Sequence, residues 1–403
     1  MARIVYSMAG EGRGHATRAR ALAESLRQRH ELELWAPGQA YELLAPVYRG
    51  SEVRVERLPG VQFHYTRAGR MNYAKSLLAA TPYTLSLPRM ARVYARKLES
   101  RGADLAICDF EPILARAAHR SGVPLLGVDH QSFLLVNDLA GLPVRLRIWA
   151  KLMAGMCRIM TCGVKDRIVS SFYFPPLKKR FEGKVTQVGV LIRPELRRLR
   201  VHDQGRLLVY VRRHAPESFL QALSALGRPV DVFGLGARPQ QGQVEFHEIC
   251  ARHFATRLAS CHALVSTAGN QGVGEALFFG KPILAMPEHG NMEQEINAQF
   301  LAASGAGMRA ELEKVDVTTL QRFLEGHAAF RAKAEEQSAQ VDGLGPVLET
   351  IEARLRGAPQ RDPSLLSPIA AAEHASRAAA RRQVGAQRGA AARRGEAGAL
   401  IQP

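Results

Sequence analysis

The chain has 403 residues, 46% of them hydrophobic and only 6% aromatic, with a formal net charge of +18. That is enough for two domains of ordinary size on a largely aliphatic core. Its five cysteines, Cys108, Cys157, Cys162, Cys250 and Cys261, include no C-x-x-C pair, which argues against a disulfide framework or a cysteine zinc site and fits a reducing compartment. No apolar run reaches about 18 residues and Arg3-Ile-Val-Tyr6 opens directly as strand, so neither a spanning helix nor a signal peptide is expected. The expected location is cytoplasmic, with the inner face of the membrane as a peripheral option.

Arg3–Met8 reads as a strand and Ala16–Arg29 as a helix, with Ala19, Leu22, Ala23 and Leu26 on one face. Leu32–Trp35 is a second strand. Strands at Ala103–Cys108 and Pro124–Val128 flank a helix over Ile113–Arg120, and Val185–Val190 closes the series. Such β-α-β punctuation predicts a parallel, doubly wound sheet. Residues 145–180 carry nine Lys or Arg against Asp166 alone, interleaved with Ile148, Trp149, Leu152, Met153 and Met156. Two readings stand there: a helix contacting an anionic membrane, or a core helix with a charged outer face.

A basic, proline-containing connection, Arg193–Arg200, marks the boundary between a domain over 1–192 and one over 193–357. The second series has strands at Leu207–Val211, Val230–Phe233, Val244–Phe246, Ala263–Ser266 and Pro282–Met286. Its helices cover Pro216–Leu226, Gly274–Gly280, Met292–Ala303 and Val317–Glu336. Residues 358–403 hold seven Arg against Asp362, Glu373 and Glu396 in an Ala- and Gly-rich context, expected as a disordered basic tail.

The segment with most chemistry runs Ser266-Thr-Ala-Gly-Asn-Gln-Gly-Val-Gly-Glu-Ala-Leu277, then Gly280-Lys-Pro-Ile-Leu-Ala-Met-Pro287, then Asn291-Met-Glu-Gln-Glu-Ile-Asn-Ala298. A strand ends at Ser266 and a helix starts near Gln271. Free N–H groups and the dipole at such a start favour phosphate. Gly269 and Gly272 leave room for a pyrophosphate. Glu275, a turn inside the helix, suits a ribose diol because a carboxylate accepts two hydrogen bonds. Glu293 and Gln294 open the next helix, toward the ligand's other end. The plainer reading is a scaffold turn with Glu275 in solvent.

This block resembles the donor-site signature of GT-B glycosyltransferases, among them the family 28 peptidoglycan N-acetylglucosaminyltransferases and the UDP-glycosyltransferases. The resemblance implies two Rossmann-like domains facing a cleft and a nucleotide-sugar donor, UDP-linked by the family's habit. It assigns Ser266, Thr267, Gly269, Asn270, Gln271 and Gly272 to the phosphate loop, Glu275 to ribose, and Glu293-Gln294 to the sugar. Two departures stand out. Thr267 replaces a phosphate-binding His of many relatives, and Asn270 replaces an aromatic of the plant enzymes.

Gly10-Glu-Gly-Arg-Gly-His15 follows the first strand. It is no dinucleotide fingerprint, because His15 stands where the third glycine belongs, and no Gly-Lys-Ser/Thr makes it a P-loop. It resembles the glycine-rich loop ending in His of the family 28 enzymes, which implies a place near the acceptor. His15 becomes the candidate general base, since imidazole exchanges protons near neutral pH. Asp109, at the carboxyl edge of the same sheet, is its candidate orienting partner. Asp129 and His130 are alternative bases. Gly12, Arg13, Gly14 and Arg18 are candidates for acceptor phosphate, with solvated arginines as the other reading. Phe246 and His247 are assigned loosely to the nucleobase.

No Asp-x-Asp occurs, so a metal-dependent GT-A design has no support and neither metal nor cofactor is expected. Retaining relatives often carry a glutamate eight positions before the Glu275 equivalent, and that position is Thr267. The expectation is an inverting, metal-independent transferase moving sugar to a lipid-linked or glycolipid acceptor. The alternatives are a nucleotide-sugar epimerase or hydrolase on the same fold, and a polyanion-binding protein. Nucleic acid is disfavoured because aromatic interleaving is missing.

Overall fold

The computed structural model describes residues 1–61, 73–212 and 214–357. The basic tail expected over 358–403 lies outside the described residues. Among those described, strands β1 (Arg3–Met8), β2 (Glu31–Pro37), β3 (Arg54–Leu58), β4 (Leu105–Asp109), β5 (Leu125–Asp129), β6 (Asp166–Ser170) and β7 (Val185–Val188) form one sheet in the order β3-β2-β1-β4-β5-β6-β7. Every neighbouring pair is parallel. β4 is buried along its whole length, as expected of a strand covered by helices on both faces.

A second sheet comprises β8 (Leu207–Tyr210), β9 (Val230–Phe233), β10 (Arg238–Gln241), β11 (Val244–His247), β12 (Ala263–Ser266), β13 (Ile283–Ala285) and β14 (Gly307–Arg309). Its order is β10-β11-β9-β8-β12-β13-β14, parallel except for the β10–β11 hairpin. Each sheet reverses direction of growth once, between β1 and β4 in the first and between β8 and β12 in the second. Ligands of open α/β sheets collect at the carboxyl ends of strands flanking such a switch.

The final helix, Leu344–Gly357, returns to the first sheet. Leu344, Val347 and Ile351 share a core with Ile4, Leu22 and Ile107. The two halves also share an apolar seam, in which Phe133, Tyr173, Val190 and Ile192 pack with Val273, Leu277 and Ile296. Gly274 is required there, because a Cβ would stand 2.4 Å from a Val190 methyl. The Tyr173 ring stacks on Phe300 with centroids 4.1 Å apart. The seam holds the two carboxyl edges face to face.

Candidate active site

On the first sheet the switch lies between Met8 and Asp109, paired at the ends of β1 and β4. Gly12, at φ +80°, turns the chain into the helix Arg13–Leu26, and a left-handed residue of this kind is cheapest as glycine. The first turn presents His15 to Asp109. The His15 Nδ1 lies 2.8 Å from Asp109 Oδ1. One helical turn on, Arg18 donates from Nε to Asp109 Oδ2 and from Nη2 to Oδ1, both at 2.8 Å. Burial opposes the charge on Asp109, but Arg18 and then His15 outweigh it and hold the carboxyl below its ordinary range. The ionised Asp109 can only accept, so the imidazole proton sits on Nδ1 and the Nε2 lone pair is free. The 3.0 Å approach of Arg18 Nη2 to His15 Nδ1 follows from both groups sharing Oδ1.

Arg18 was expected at an acceptor phosphate; the structure differs, because its guanidinium is buried and spent on Asp109. Arg13 is exposed at the start of the helix, and a Cβ at Gly12 or Gly14 would meet nothing within 4 Å. The alternative bases are poorly placed for proton transfer. Asp129 accepts from the Ser132 N–H at 2.6 Å and its hydroxyl at 2.9 Å, which ties it to its own loop. His130 is buried, and burial followed by the Arg18 charge push it down to about 3.

On the second sheet the switch lies between Tyr210 and Ser266, paired at the ends of β8 and β12. Ala268 follows at φ +59°, and Phe110 has the same φ just past Asp109. They are the non-glycine residues with positive φ among those described, so both switch loops store backbone strain. Gly269 then caps the helix Asn270–Phe278 with no side-chain acceptor on its N–H groups. A Cβ at Gly269 or Gly272 would meet nothing within 4 Å. Protein packing therefore does not demand glycine at either position, while a phosphate approaching the backbone would. Ser266 Oγ is 3.4 Å from the Ala268 N–H, and the Thr267 N–H donates to Tyr210 O at 3.3 Å.

Several expected donor residues have protein partners. Asn270 Oδ1 accepts from Ser171 Oγ and the Phe172 N–H, and its amide donates to Ser170 O, all across the seam. This explains why an aromatic is absent there: the position is a bridge between the halves. Glu275 is not in solvent. Arg193 donates to both its oxygens, and Gln271 Nε2 donates to Oε1 at 3.1 Å and to Leu191 O. Gln294 accepts from the Glu288 N–H at 2.8 Å and donates to its carboxylate, which braces the loop before the helix Met292–Ser304.

Glu293 joins the two edges. Burial raises the Glu293 pKa, and His15, Gln131 and Arg18 of the first domain oppose that rise. His247 is elsewhere engaged, with Nε2 at 2.7 Å from Asp231 Oδ1 beside Arg206, while Phe246 is buried in the second core. Sequence reasoning missed Arg193, Gln131 and Asn297, whose amide holds Ala268 O at 2.9 Å while its oxygen accepts from Tyr173. Their roles arise from contacts between distant segments, which no local pattern announces.

The profile of glycosyl transferase family 1 matches residues 2–327. An uncharacterized glycosyltransferase of Methanosarcina acetivorans is 27% identical over 335 residues, covering 76% of this chain and 83% of that protein. Among solved structures, LpCGTa in complex with UDP superposes with a TM-score of 0.64 at 17% identity, covering 88% of this chain and 99% of the other. CalG4, the calicheamicin glycosyltransferase, gives 0.62 at 17% identity over 89% of this chain and all (100%) of the other. The two facing Rossmann-like sheets are thus the GT-B architecture, and the chain belongs to glycosyl transferase family 1.

Proposed function

We propose that the chain transfers a hexose-type sugar from a nucleotide sugar, UDP-linked, to a hydroxyl of a lipid-linked or glycolipid acceptor, with inversion and without a metal. The observation that carries the reading is the His15–Asp109 contact at 2.8 Å, in a cleft whose opposite wall is the uncapped Asn270 helix. His15 Nε2 takes the acceptor hydroxyl proton as that oxygen attacks the anomeric carbon. The bond from that carbon to the donor diphosphate breaks, and its electron pair leaves on the phosphate oxygen. The free N–H groups and dipole at Gly269–Gly272 stabilise that developing charge. Displacement from the face opposite the leaving group inverts the centre. Glu275 meets ribose and Glu293 the sugar, with Arg13 beside the acceptor. UDP is supported by the likeness of the Ser266–Ala298 block to the UDP-glycosyltransferases and by the UDP-bound structural neighbour. The lipid-linked acceptor is supported by the likeness of the Gly10–His15 loop to family 28.

The test is thermal stabilisation by a panel of nucleoside diphosphates and their sugars, followed by turnover of His15→Ala. Stabilisation by UDP and one UDP-sugar, with transfer lost and donor stabilisation kept in His15→Ala, is the expected result. No response to any nucleotide would sink the donor site, and unchanged turnover would move the base elsewhere.

A further inference from the structure

The helix Val144–Met160 buries Leu146, Ala150 and Cys157 but leaves a row of large apolar side chains in solvent. Val144 is 61% exposed, Ile148 57%, Leu152 69% and Ile159 48%. At the helical repeat these side chains and Met156 fall within about 120° of the circumference. A single exposed leucine is ordinary, whereas a continuous stripe on one helix marks an interaction face. Exposed Lys151 and Arg158 lie on the same helix, and exposed Lys179 and Arg180 follow in sequence. Burial and then the Arg180 charge lower the pKa of Lys178, and Arg158 adds to the effect.

We propose that this face docks the protein on an anionic lipid surface, the apolar stripe entering the headgroup boundary and the flanking cations meeting lipid phosphates. The charge selects the occupant. A second copy would bring the same cations against these, and the tail over 358–403 is itself basic, with seven Arg against three acids. An anionic bilayer supplies both apolar depth and opposite charge. Among the described residues no helix is long and apolar enough to cross a membrane, so the contact is peripheral.

The docked helix reaches the cleft. Arg145, in its first turn, bonds Glu295 and lies 3.0 Å from Met292 Sδ, beside a cavity of about 300 Å³ that Glu288 and His289 also line. A headgroup held at this face stands next to the helix that carries Glu293. That the bound surface delivers the acceptor rests on the transfer reading above; the docking itself does not.

The experiment is co-sedimentation of the full chain with vesicles of phosphatidylcholine, alone or mixed with phosphatidylglycerol. Wild type is expected to pellet with the anionic vesicles, to stay soluble with the zwitterionic ones, and to be released by salt. The double variant Ile148→Glu/Leu152→Glu should lose binding. Lys151→Glu/Arg158→Glu should weaken it roughly fivefold for each cation removed. All four side chains are exposed, and UDP stabilisation of the variants reports the donor site separately. Undiminished binding of the Ile148→Glu/Leu152→Glu protein overturns the proposal, as does equal affinity for both vesicles. A dimer in solution that the same variant dissociates would assign the face to a second copy instead.

Discussion

Arg193, in the segment joining the two sheets, donates to Oε1 of Glu275 at 3.2 Å and to Oε2 at 3.1 Å, with both side chains buried. The connection between domains is thereby fastened to the helix that begins after Gly269. Removing one partner strands the other charge away from water, which typically costs about 3–5 kcal/mol. Arg193→Met is therefore expected to lower the melting temperature sharply. Arg193→Met/Glu275→Gln should cost less than the two single variants summed, because the second change removes the stranded carboxylate. Calorimetric melting of the four proteins measures the coupling; additive losses would mean that the two side chains act independently. Glu275→Ala should also weaken UDP stabilisation.

The Arg18–Asp109 pair predicts a pH-dependent defect. Asp109 is held below its ordinary range, so its contribution to stability is present at neutral pH and fades as pH falls through the folded value. Arg18→Met strips the buried carboxylate of its guanidinium and leaves it only His15 and Tyr6, at a cost of about 3–5 kcal/mol at neutral pH. The deficit against wild type should shrink as acid protonates that carboxylate. Urea denaturation at neutral and acidic pH measures it, and a deficit that does not change with pH would show that only packing was lost. Asp109→Asn addresses catalysis. Its amide can donate to Nδ1 and move the imidazole proton to Nε2, a change that cost a serine protease about 10⁴ in rate. Transfer should fall by a comparable order while UDP stabilisation persists.

Glu111 offers an opposite sign. Its two carboxylate oxygens cap the helix Pro112–Ser121 by accepting from the Ile113 and Leu114 N–H groups at 2.8 Å. Burial nevertheless raises its pKa to about 7, with those N–H groups opposing. A carboxyl raised in the folded state binds protons more tightly there than in the unfolded chain. Stability is therefore highest below the unfolded value and falls as pH rises toward the folded one. The loss between about pH 4.5 and 7 is on the order of 3 kcal/mol. Glu111→Gln should flatten that part of the stability curve; a slope equal to that of wild type would mean that another group produces it.

The parallel strands were legible because fully buried strands read as short apolar runs, and Arg3–Met8, Val230–Phe233 and Ala263–Ser266 have the expected bounds. Three were not. β3 reads Arg-Val-Glu-Arg-Leu at a sheet edge, β6 lies inside the basic stretch, and β14 is three residues beginning with glycine. The helix Tyr73–Arg101 hid behind Pro82 and Pro88, which its packing on the Pro112 helix tolerates. For the site, the glycine-rich segments pointed to both loops and to His15, and the carboxyl edge of the first sheet pointed to Asp109. It could not show that Arg18 serves Asp109, that Asn270 spans the seam, or that Glu275 has a cationic partner. Those facts depend on segments about 80 to 100 residues apart.

Glu293 provides the sharpest separation of donor affinity from donor chemistry. Its pKa responds to His15, Gln131 and Arg18 of the first domain, whereas Glu275 lies inside the helix that Gly269 opens. If Glu293 holds sugar hydroxyls, Glu293→Gln keeps its size and removes only the charge. Hydrogen bonds to a charged group are worth about 1.5–3 kcal/mol, so turnover of the sugar nucleotide should fall roughly 10- to 100-fold. On the same proposal, stabilisation by free UDP should be unchanged, because the nucleotide would not touch this end. If the helix N-terminus alone stabilises the leaving diphosphate, as proposed, a chelator should leave wild-type turnover intact. Equal losses of UDP binding and turnover in Glu293→Gln would place the nucleotide, rather than the sugar, at this carboxylate and reverse the direction in which the donor lies along the cleft.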